Sequence, residues 1–226
     1  MVKKSSTVAM LVMSLLGVSA CSSGGGNGSA ASRDACERVI GKPGIEWIKD
    51  NVSASEVAIH GPDTLDEARV LFQKQMKGWT PDEAEAPSFL RSEVCRVSAT
   101  PKKQGEYLAI EYGASIFPFD SPFDKNRAGE KRLVEIPVNS DVKLVYGKDR
   151  LGPVHYRIYV KCGVAGAADG QEKEVPLEGD MVDTLTRDTD TRVHLEHLLR
   201  SAETVTRAFK CRNKPDIPRE VPASVS

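Results

Sequence analysis

The chain has 226 residues, with 31 Lys and Arg against 32 Asp and Glu, a formal net charge of −1 and 40% hydrophobic residues. This balance gives no clustered basic surface of the kind that nucleic-acid binding requires, so we expect no nucleic acid among the partners. The apolar content is sufficient for a packed core, and the length suits one domain or two small ones behind the N-terminal region.

Residues 1–20 have the zones of an export signal. Lys3 and Lys4 form a cationic tip, and residues 7–16 ("TVAMLVMSLL") form an apolar run of about ten residues, well short of the ~20 needed to span a bilayer. Gly17 can end the apolar helix and leave small side chains next to a cleavage site. This length favours a signal peptide over the alternative, an uncleaved membrane anchor.

The tetrapeptide Val18-Ser19-Ala20-Cys21 resembles the lipobox of bacterial lipoproteins, usually Leu-(Ala/Ser)-(Gly/Ala)-Cys, with Val in place of the first Leu. The resemblance implies cleavage between Ala20 and Cys21, a diacylglyceryl group on the Cys21 thiol, and a location at the outer face of the cell membrane. Two acyl chains anchor a protein stably where one is marginal, since each buried methylene contributes about 0.8 kcal/mol. An ordinary secretory signal in which Cys21 falls near the end by chance is the alternative.

Residues 21–32 contain the lipidated cysteine and then mainly Gly, Ser, Ala and Asn, a composition that cannot bury enough surface to fold. We expect a flexible tether that places the folded domain roughly 20 Å from the lipid. Cleavage would also leave 29 basic against 32 acidic residues, a net charge of −3.

Helical patterns come first in the domain. A short helical pattern at residues 35–52 is interrupted by "GKPG" at residues 41–44, and a clearer helix is predicted over residues 64–77. Thr64 and Glu67 have the spacing of a capping box for that helix. A further helix start is predicted at residues 80–83.

Strand patterns follow. Residues 93–100 and 106–116 predict two strands joined by a "PKKQG" turn, and residues 132–138 and 141–147 predict a hairpin around Asn139 and Ser140. Residues 153–162 alternate cleanly, which predicts a strand with Val154, Tyr156, Ile158, Val160 and Cys162 on one face and His155, Arg157, Tyr159 and Lys161 on the other.

The last predicted helix, residues 191–210, has one apolar stripe formed by Leu195, Leu198, Leu199, Ala202, Val205 and Phe209. Strands in the middle of the chain with helices before and after them predict an α+β fold, a central antiparallel sheet flanked by N-terminal helices and a C-terminal amphipathic helix. The domain is expected to cover residues 33–214, and residues 215–226 to form a frayed, Pro-rich tail.

Once Cys21 carries lipid, four cysteines remain, an even number that predicts two disulfides in an exported chain. Three connectivities are open, and we favour Cys36–Cys95 and Cys162–Cys211 because each half of the chain then closes on itself. Each bond would close a loop of ~50–60 residues, worth about 4 kcal/mol by loop entropy before any strain. Since no two cysteines have a metal-ligand spacing, we expect no cysteine metal site.

No catalytic residue, cofactor or metal site is assigned from the sequence. His194 and His197 could share a helix face, but the helical wheel favours a solvated pair, and His60 and His155 are isolated. The acidic stretch at residues 183–191 lacks the glycine and distal Glu of an EF-hand, so we expect it to cap the last helix and to place negative charge in its first turn, with calcium binding as the minor alternative. Neither a G-x-S-x-G elbow nor a P-loop is present.

Residues 115–132 ("SIFPFDSPFDKNRAGEKR") alternate aromatic residues with Pro and Asp and end in basic residues. Exposed aromatic side chains beside cations are typical of partner or glycan surfaces, which makes Phe117, Phe119 and Phe123 candidate binding residues. The alternative is an ordered loop whose phenylalanines fold back onto the sheet.

The sequence favours a non-enzymatic, membrane-anchored protein that binds an envelope protein or another ligand, because no catalytic constellation is visible. Two alternatives stay open: an envelope hydrolase or transferase whose site is assembled from scattered residues, and a structural accessory of a membrane complex.

Overall fold

A computed structural model describes residues 27–81, 88–101, 103–121, 123, 133–148 and 152–223, and these residues form an α+β fold with an antiparallel sheet, as predicted. The predicted signal peptide and Cys21 lie outside the described residues, as do residues 82 and 83 of the helix start predicted at residues 80–83.

The helices are α1 (Asn27–Asn51), α2 (Asp66–Gly78), the short α3 (Gln171–Glu174) and α4 (Thr191–Phe209). The strands are β1 (Glu56–His60), β2 (Arg91–Thr100), β3 (Tyr107–Ala114), β4 (Val134–Pro137), β5 (Val142–Lys148), β6 (Val154–Val160) and β7 (Leu177–Asp183). Within the described ranges, no helix has the length and apolar content that a membrane span requires.

The sheet has seven strands in the order β1-β2-β3-β7-β6-β5-β4, and every neighbouring pair is antiparallel. Strands β1 and β7 were not predicted. The sequence of β7, "LEGDMVD", contains three acidic residues and a glycine, which are depleted in strands. The glycine is required there, because a Cβ on Gly179 would lie 2.5 Å from the Tyr112 ring.

Helices α1, α2 and α4 pack on one face of this sheet. The face predicted for β6 is confirmed, since Tyr156, Ile158 and Val160 are buried in the main core together with Cys162. The apolar stripe of α4 is confirmed as well, with its side chains fully buried against the sheet and the other helices. Burial of each such large side chain stabilises the fold by about 1.5–3 kcal/mol.

The predicted break in the first helix is confirmed, because Gly41 has the positive φ of 75° and Pro43 follows it. Two other expectations are wrong. The helix begins at Asn27, so residues 27–32 are helical rather than part of a flexible tether. The N-cap of α2 is Leu65 rather than Thr64, whose Oγ1 instead accepts a hydrogen bond from the Asp66 amide at 3.2 Å.

Both predicted disulfide pairs are present. Cys36–Cys95 joins α1 to β2 with a Cα–Cα distance of 4.6 Å, and Cys162–Cys211 joins the residues that follow β6 and α4 with a Cα–Cα distance of 4.9 Å. Each bond therefore fastens a helical segment to the sheet within one half of the chain.

The C-terminal segment was expected to be frayed, which is wrong as far as residue 223. Val221 is buried in the main core, and the Arg192 guanidinium donates hydrogen bonds of 3.1 Å to the carbonyls of Val221 and Pro222. The Asp216 amide also donates to Asp141 Oδ2 at 3.3 Å. The buried side chain of Val221 and the hydrogen bonds from Arg192 at the start of α4 therefore hold this Pro-rich segment against the core.

Candidate functional site on the uncovered face of the sheet

The face of the sheet opposite α1, α2 and α4 is polar. We call it the uncovered face, and strand register places on it the charged residues Arg91, Glu93, Arg96, Glu111, Glu135, Lys143, His155, Arg157, Glu178 and Asp180. Charged residues normally stay in water on such a face. Two of these carboxylates do not.

Glu178 and Asp180 on β7 are only 1% and 8% exposed. Arg91 from β2 contacts both, with its Nη2 2.7 Å from Glu178 Oε1 and its Nη1 3.4 Å from Asp180 Oδ2. Arg157 from β6 approaches from the other side, its Nε 3.4 Å from Asp180 Oδ2 and 3.9 Å from Glu178 Oε1. Two arginines from different strands thus enclose two buried carboxylates.

His155 completes this group, with its Nδ1 2.9 Å from Asp180 Oδ2. The sequence interpretation of His155 as an isolated side chain is therefore wrong. It failed because β7, the strand that carries its partner, was not predicted. A histidine paired with a carboxylate can hold and orient a proton, and three cationic or protonatable groups converge here on two acidic ones.

The two carboxyl groups respond differently to this environment. Burial raises the pKa of Glu178 above its ordinary value in spite of Arg91 and Arg157. Burial would also raise the pKa of Asp180, but the hydrogen bond from His155 and the charges of both arginines lower it below its ordinary value. Glu178 Oε2 is buried with no hydrogen-bond partner among the described residues. The cost of burying the charged carboxylate is therefore offset less at Glu178 than at Asp180.

The flanks of the uncovered face carry further charge pairs. Arg96 pairs with Glu93, with its Nε 2.8 Å from a carboxylate oxygen, and lies over the Tyr107 ring at 4.5 Å. Lys143 on β5 is buried. Its Nζ donates a hydrogen bond of 3.0 Å to the Ser121 carbonyl and lies 3.6 Å from Glu135 Oε1. Both signs of charge are therefore interspersed across the face.

The candidate aromatic residues lie at one margin of this face. Phe119 is buried in a small cluster with Val145 and Tyr159, and Phe123 packs against Tyr159 with ring centroids 5.0 Å apart. Phe117 is 46% exposed and meets Phe123 edge-on at 5.8 Å. Phe119 and Phe123 thus fold back onto the sheet, Phe117 stays accessible, and the binding role of all three stays a prediction; residues 124–132 lie outside the described ranges.

The expectation of a solvated pair at His194 and His197 is wrong, since these residues are only 1% and 9% exposed. Trp47 of α1 covers them, with its ring centroid 5.1 Å from that of His194 and 4.5 Å from that of His197. Tyr156 stacks on His194 from the sheet at 4.5 Å. The helical wheel of α4 could not reveal this, because the covering side chains come from distant elements.

The pKa values of the two histidines shift in opposite directions. His194 Nδ1 lies 2.7 Å from the Asp190 carbonyl and Nε2 lies 3.0 Å from Asp183 Oδ2, so both nitrogens face acceptors. Burial alone would lower the pKa of His194, but these hydrogen bonds and the nearby carboxylates raise it. Burial, with Arg200 and His194 nearby, lowers the pKa of His197 to about 4. Its Nδ1 has no hydrogen-bond partner among the described residues.

The acidic stretch at residues 183–191 has the capping role that was predicted. Asp190 is the N-cap of α4 and accepts a hydrogen bond from the Arg192 amide at 2.8 Å. The expected acidic residues in the first turn of α4 are not there. In the parts of the chain that the structure describes, no group of three or more His, Cys, Asp or Glu side chains is arranged to hold a metal ion.

No protein-family model matches this chain, and no curated protein or solved structure gives a significant match. A functional interpretation therefore rests on the chain's own residues. Of the uncovered-face charges, the sequence identified the alternation that places His155 and Arg157 together, but not Arg91, Glu178 or Asp180. The available signal was a glycine between two acidic residues in residues 177–183, which alone does not distinguish a loop from a strand.

Proposed function

We propose that this protein is a lipid-anchored binding protein of the cell envelope, which recognises a protein partner through the uncovered face. The observation that carries the proposal is the burial of Glu178 and Asp180 between Arg91 and Arg157 on a face that none of the described helices covers. Removing charges from water is expensive, and hydrophobic residues of similar volume would often stabilise a fold as well or better. A role in recognition accounts for charges kept at this position.

The charge pattern favours a protein partner. Acidic and basic groups alternate over short distances across the face, which suits a partner surface that carries both signs in complementary positions. Such complementarity contributes to the rate and specificity of association. A uniformly charged polymer would be attracted to one half of these groups and repelled by the other.

The margin of the face supplies apolar contact area. Ile116 and Phe117 are both exposed where β3 ends, and aromatic side chains are among the residues that contribute most to binding at protein interfaces. Ser115 accepts a hydrogen bond from the Phe117 amide at 2.9 Å and donates one to its carbonyl at 3.0 Å, which orders this short segment. We assign Phe117 as an anchoring contact for the partner.

The lipid anchor rests on the lipobox-like sequence that ends at Cys21. Cys21→Ser removes the thiol that would accept the diacylglyceryl group. We expect this variant to incorporate no labelled lipid and to keep its signal peptide, as measured by metabolic labelling and intact mass. Normal lipid incorporation into the variant would refute the anchor.

The partner site is tested with a photo-crosslinking amino acid at two positions on the uncovered face, Arg96 and Phe117, and at two positions on α2, Glu67 and Lys74. We expect a single envelope protein to be linked from both uncovered-face positions and from neither helix position. Glu111→Lys should abolish the adduct, while the matched reversal Glu67→Lys should leave it unchanged. Adducts that form equally from both sets of positions, or that survive Glu111→Lys, would contradict the proposed face.

A further inference from the structure

A groove of about 630 Å³ lies beside the C-terminal end of α4, where the chain turns back along residues 210–217. Its charged lining consists of Arg207, Lys210, Arg212 and Lys214 against Glu203 and Asp216. Glu203 is already engaged, since its Oε1 lies 2.8 Å from Arg207 Nη2. Among the described residues, Lys210, Arg212 and Lys214 form no ion pair, so the groove has an excess of exposed positive charge.

The backbone that carries these cations is held firmly. Cys211 is bonded to Cys162, and Asn213 accepts a hydrogen bond from the Gly163 amide at 2.9 Å and donates one to the Lys161 carbonyl at 2.8 Å. Lys210 and Lys214 have positive φ angles of 59° and 47°, a conformation that residues other than glycine adopt rarely. Lys210 is the C-cap of α4, where a left-handed residue ends the helix and its amide donates to the carbonyls of Thr206 and Arg207, so the turn that carries the cations is fixed by the end of the helix.

The groove lies at the end of the molecule where the chain enters the fold. Trp47 near the end of α1 donates a hydrogen bond of 2.7 Å to Asp188, just before α4 begins. Arg38, earlier in α1, lines a small cavity together with Thr204 and Ala208 near the end of α4. Helix α1 therefore runs antiparallel to α4, and its start points to the end that carries the groove.

The proposed lipid anchor would keep this end close to the bilayer, because the chain between Cys21 and Asn27 reaches at most about 20 Å when fully extended. Basic side chains near a membrane are attracted to anionic headgroups, and the Arg guanidinium matches the geometry of a phosphate group. We infer that the groove formed by Lys210, Arg212 and Lys214 binds the phosphate groups of anionic lipids in the membrane that holds the anchor. This inference rests on the lipid anchor proposed above.

The test uses the lipidated chain reconstituted in vesicles of phosphatidylcholine alone or with phosphatidylglycerol. Flotation of the vesicles reports the anchor, and reaction of lysines with an acetylating reagent, read by mass spectrometry, reports the groove. In the anionic vesicles we expect acetylation of Lys210 and Lys214 to be slower by about tenfold. Lys49 and Lys103, at the opposite end of the fold, should react equally in both vesicles. Arg212→Glu should remove the protection, whereas Arg187→Glu, also at the opposite end, should preserve it.

The outcomes separate the two proposals. If the protein floats with the vesicles but Lys210 and Lys214 react equally in both kinds of vesicle, lipid binding by the groove is refuted and the lipid anchor is retained. Protein that fails to float would overturn both. Equal protection by inorganic phosphate added to phosphatidylcholine vesicles would assign the groove to soluble phosphate and would contradict the lipid as its ligand.

Discussion

The two faces of the sheet bury different kinds of side chain. On the helix-covered face, α4 contributes a stripe of fully buried apolar residues, and the polar groups that accompany them, such as His194 and Asp183, are paired with each other. On the uncovered face, the buried carboxylates of Glu178 and Asp180 are contacted by the guanidinium of Arg91, which itself stays partly exposed. Stability should thus reside in the first face and recognition in the second, a division that the following substitutions test in order of expected effect.

The largest effect is expected on the covered face. Phe209 is fully buried, with its ring centroid 5.5 Å from that of Phe72, and Phe209→Ala should reduce the free energy of unfolding by about 3–5 kcal/mol. Urea denaturation followed by circular dichroism measures this. Val70→Ala, at an exposed position on α2, is the control and should change it by less than about 0.5 kcal/mol. A loss below about 1 kcal/mol for Phe209→Ala would show that this end of the core is loosely packed.

Next is the pH dependence caused by His197. Burial lowers the pKa of His197 to about 4 in the folded chain, compared with the ordinary value of 6.5 in the unfolded chain. Between these two pH values, His197 is protonated in the unfolded chain but not in the folded chain. The contribution of His197 to stability is present above pH 6.5 and is lost as the pH falls towards 4, by up to about 3 kcal/mol. His197→Phe keeps a ring beside Trp47 and should flatten this fall in urea denaturation between pH 7 and pH 4.5. The same slope in wild type and variant would contradict the assignment, and His60→Gln, at an exposed position, should behave as wild type.

His194 should act in the opposite sense. Its raised pKa means that the paired, protonated form stabilises the fold below pH 6.5 and that this contribution is lost as the pH rises through the folded pKa. Comparing His197→Phe with wild type at each pH isolates the first effect, because the pair of His194 with Asp183 is retained in both proteins.

On the uncovered face, the two members of one ion pair should differ. Arg91→Met leaves two buried carboxylates less compensated and should destabilise the fold by about 2–3 kcal/mol, less than for a fully buried pair because Arg91 is partly exposed. Glu178→Gln should change stability by less than about 1 kcal/mol, since burial already disfavours the charged form.

The pair of Arg91 and Glu178 should also affect how the free energy of unfolding depends on pH. The raised pKa of Glu178 means that wild type loses stability as the pH rises through that value, and Glu178→Gln should remove this loss. Urea denaturation at pH 5 and pH 8 measures it. If Glu178→Gln is as harmful as Arg91→Met, the carboxylate is a structural requirement, and the distinction between the two faces fails.

The smallest effect on stability is expected at Phe117. Phe117→Ala removes an exposed side chain and should change the free energy of unfolding by less than about 0.5 kcal/mol. The crosslinked adduct formed from position 96 should nevertheless be lost, if Phe117 anchors the partner. Phe119→Ala is the matched comparison, and it should destabilise the fold because Phe119 is buried.

What the sequence could predict follows the same division between faces. Periodic apolar residues identified α4, β6 and the hairpin of β4 and β5, because burial on one face imposes a period that can be read locally. Strand β7 was missed because two of its three acidic residues, Glu178 and Asp180, are paired by Arg91 and Arg157 from other strands. The burial of His194 and His197 was missed for a similar reason, since Trp47 covers them from α1. Contacts between segments that are far apart in the sequence produce no periodic pattern of residues that could be recognised in either segment alone.

The central place of β7 has a consequence for how the chain reaches its native state. Strands β1, β2 and β3 form one ribbon and β6, β5 and β4 form another. In the described sheet, β7 (Leu177–Asp183) lies between the two ribbons and pairs with β3 on one side and β6 on the other. Until that late segment has been synthesised and inserted, both ribbons present an unpaired edge, the feature that most readily recruits another chain. A product truncated before residue 177 should therefore aggregate, and folding should be slow because the closing step joins distant parts of the chain.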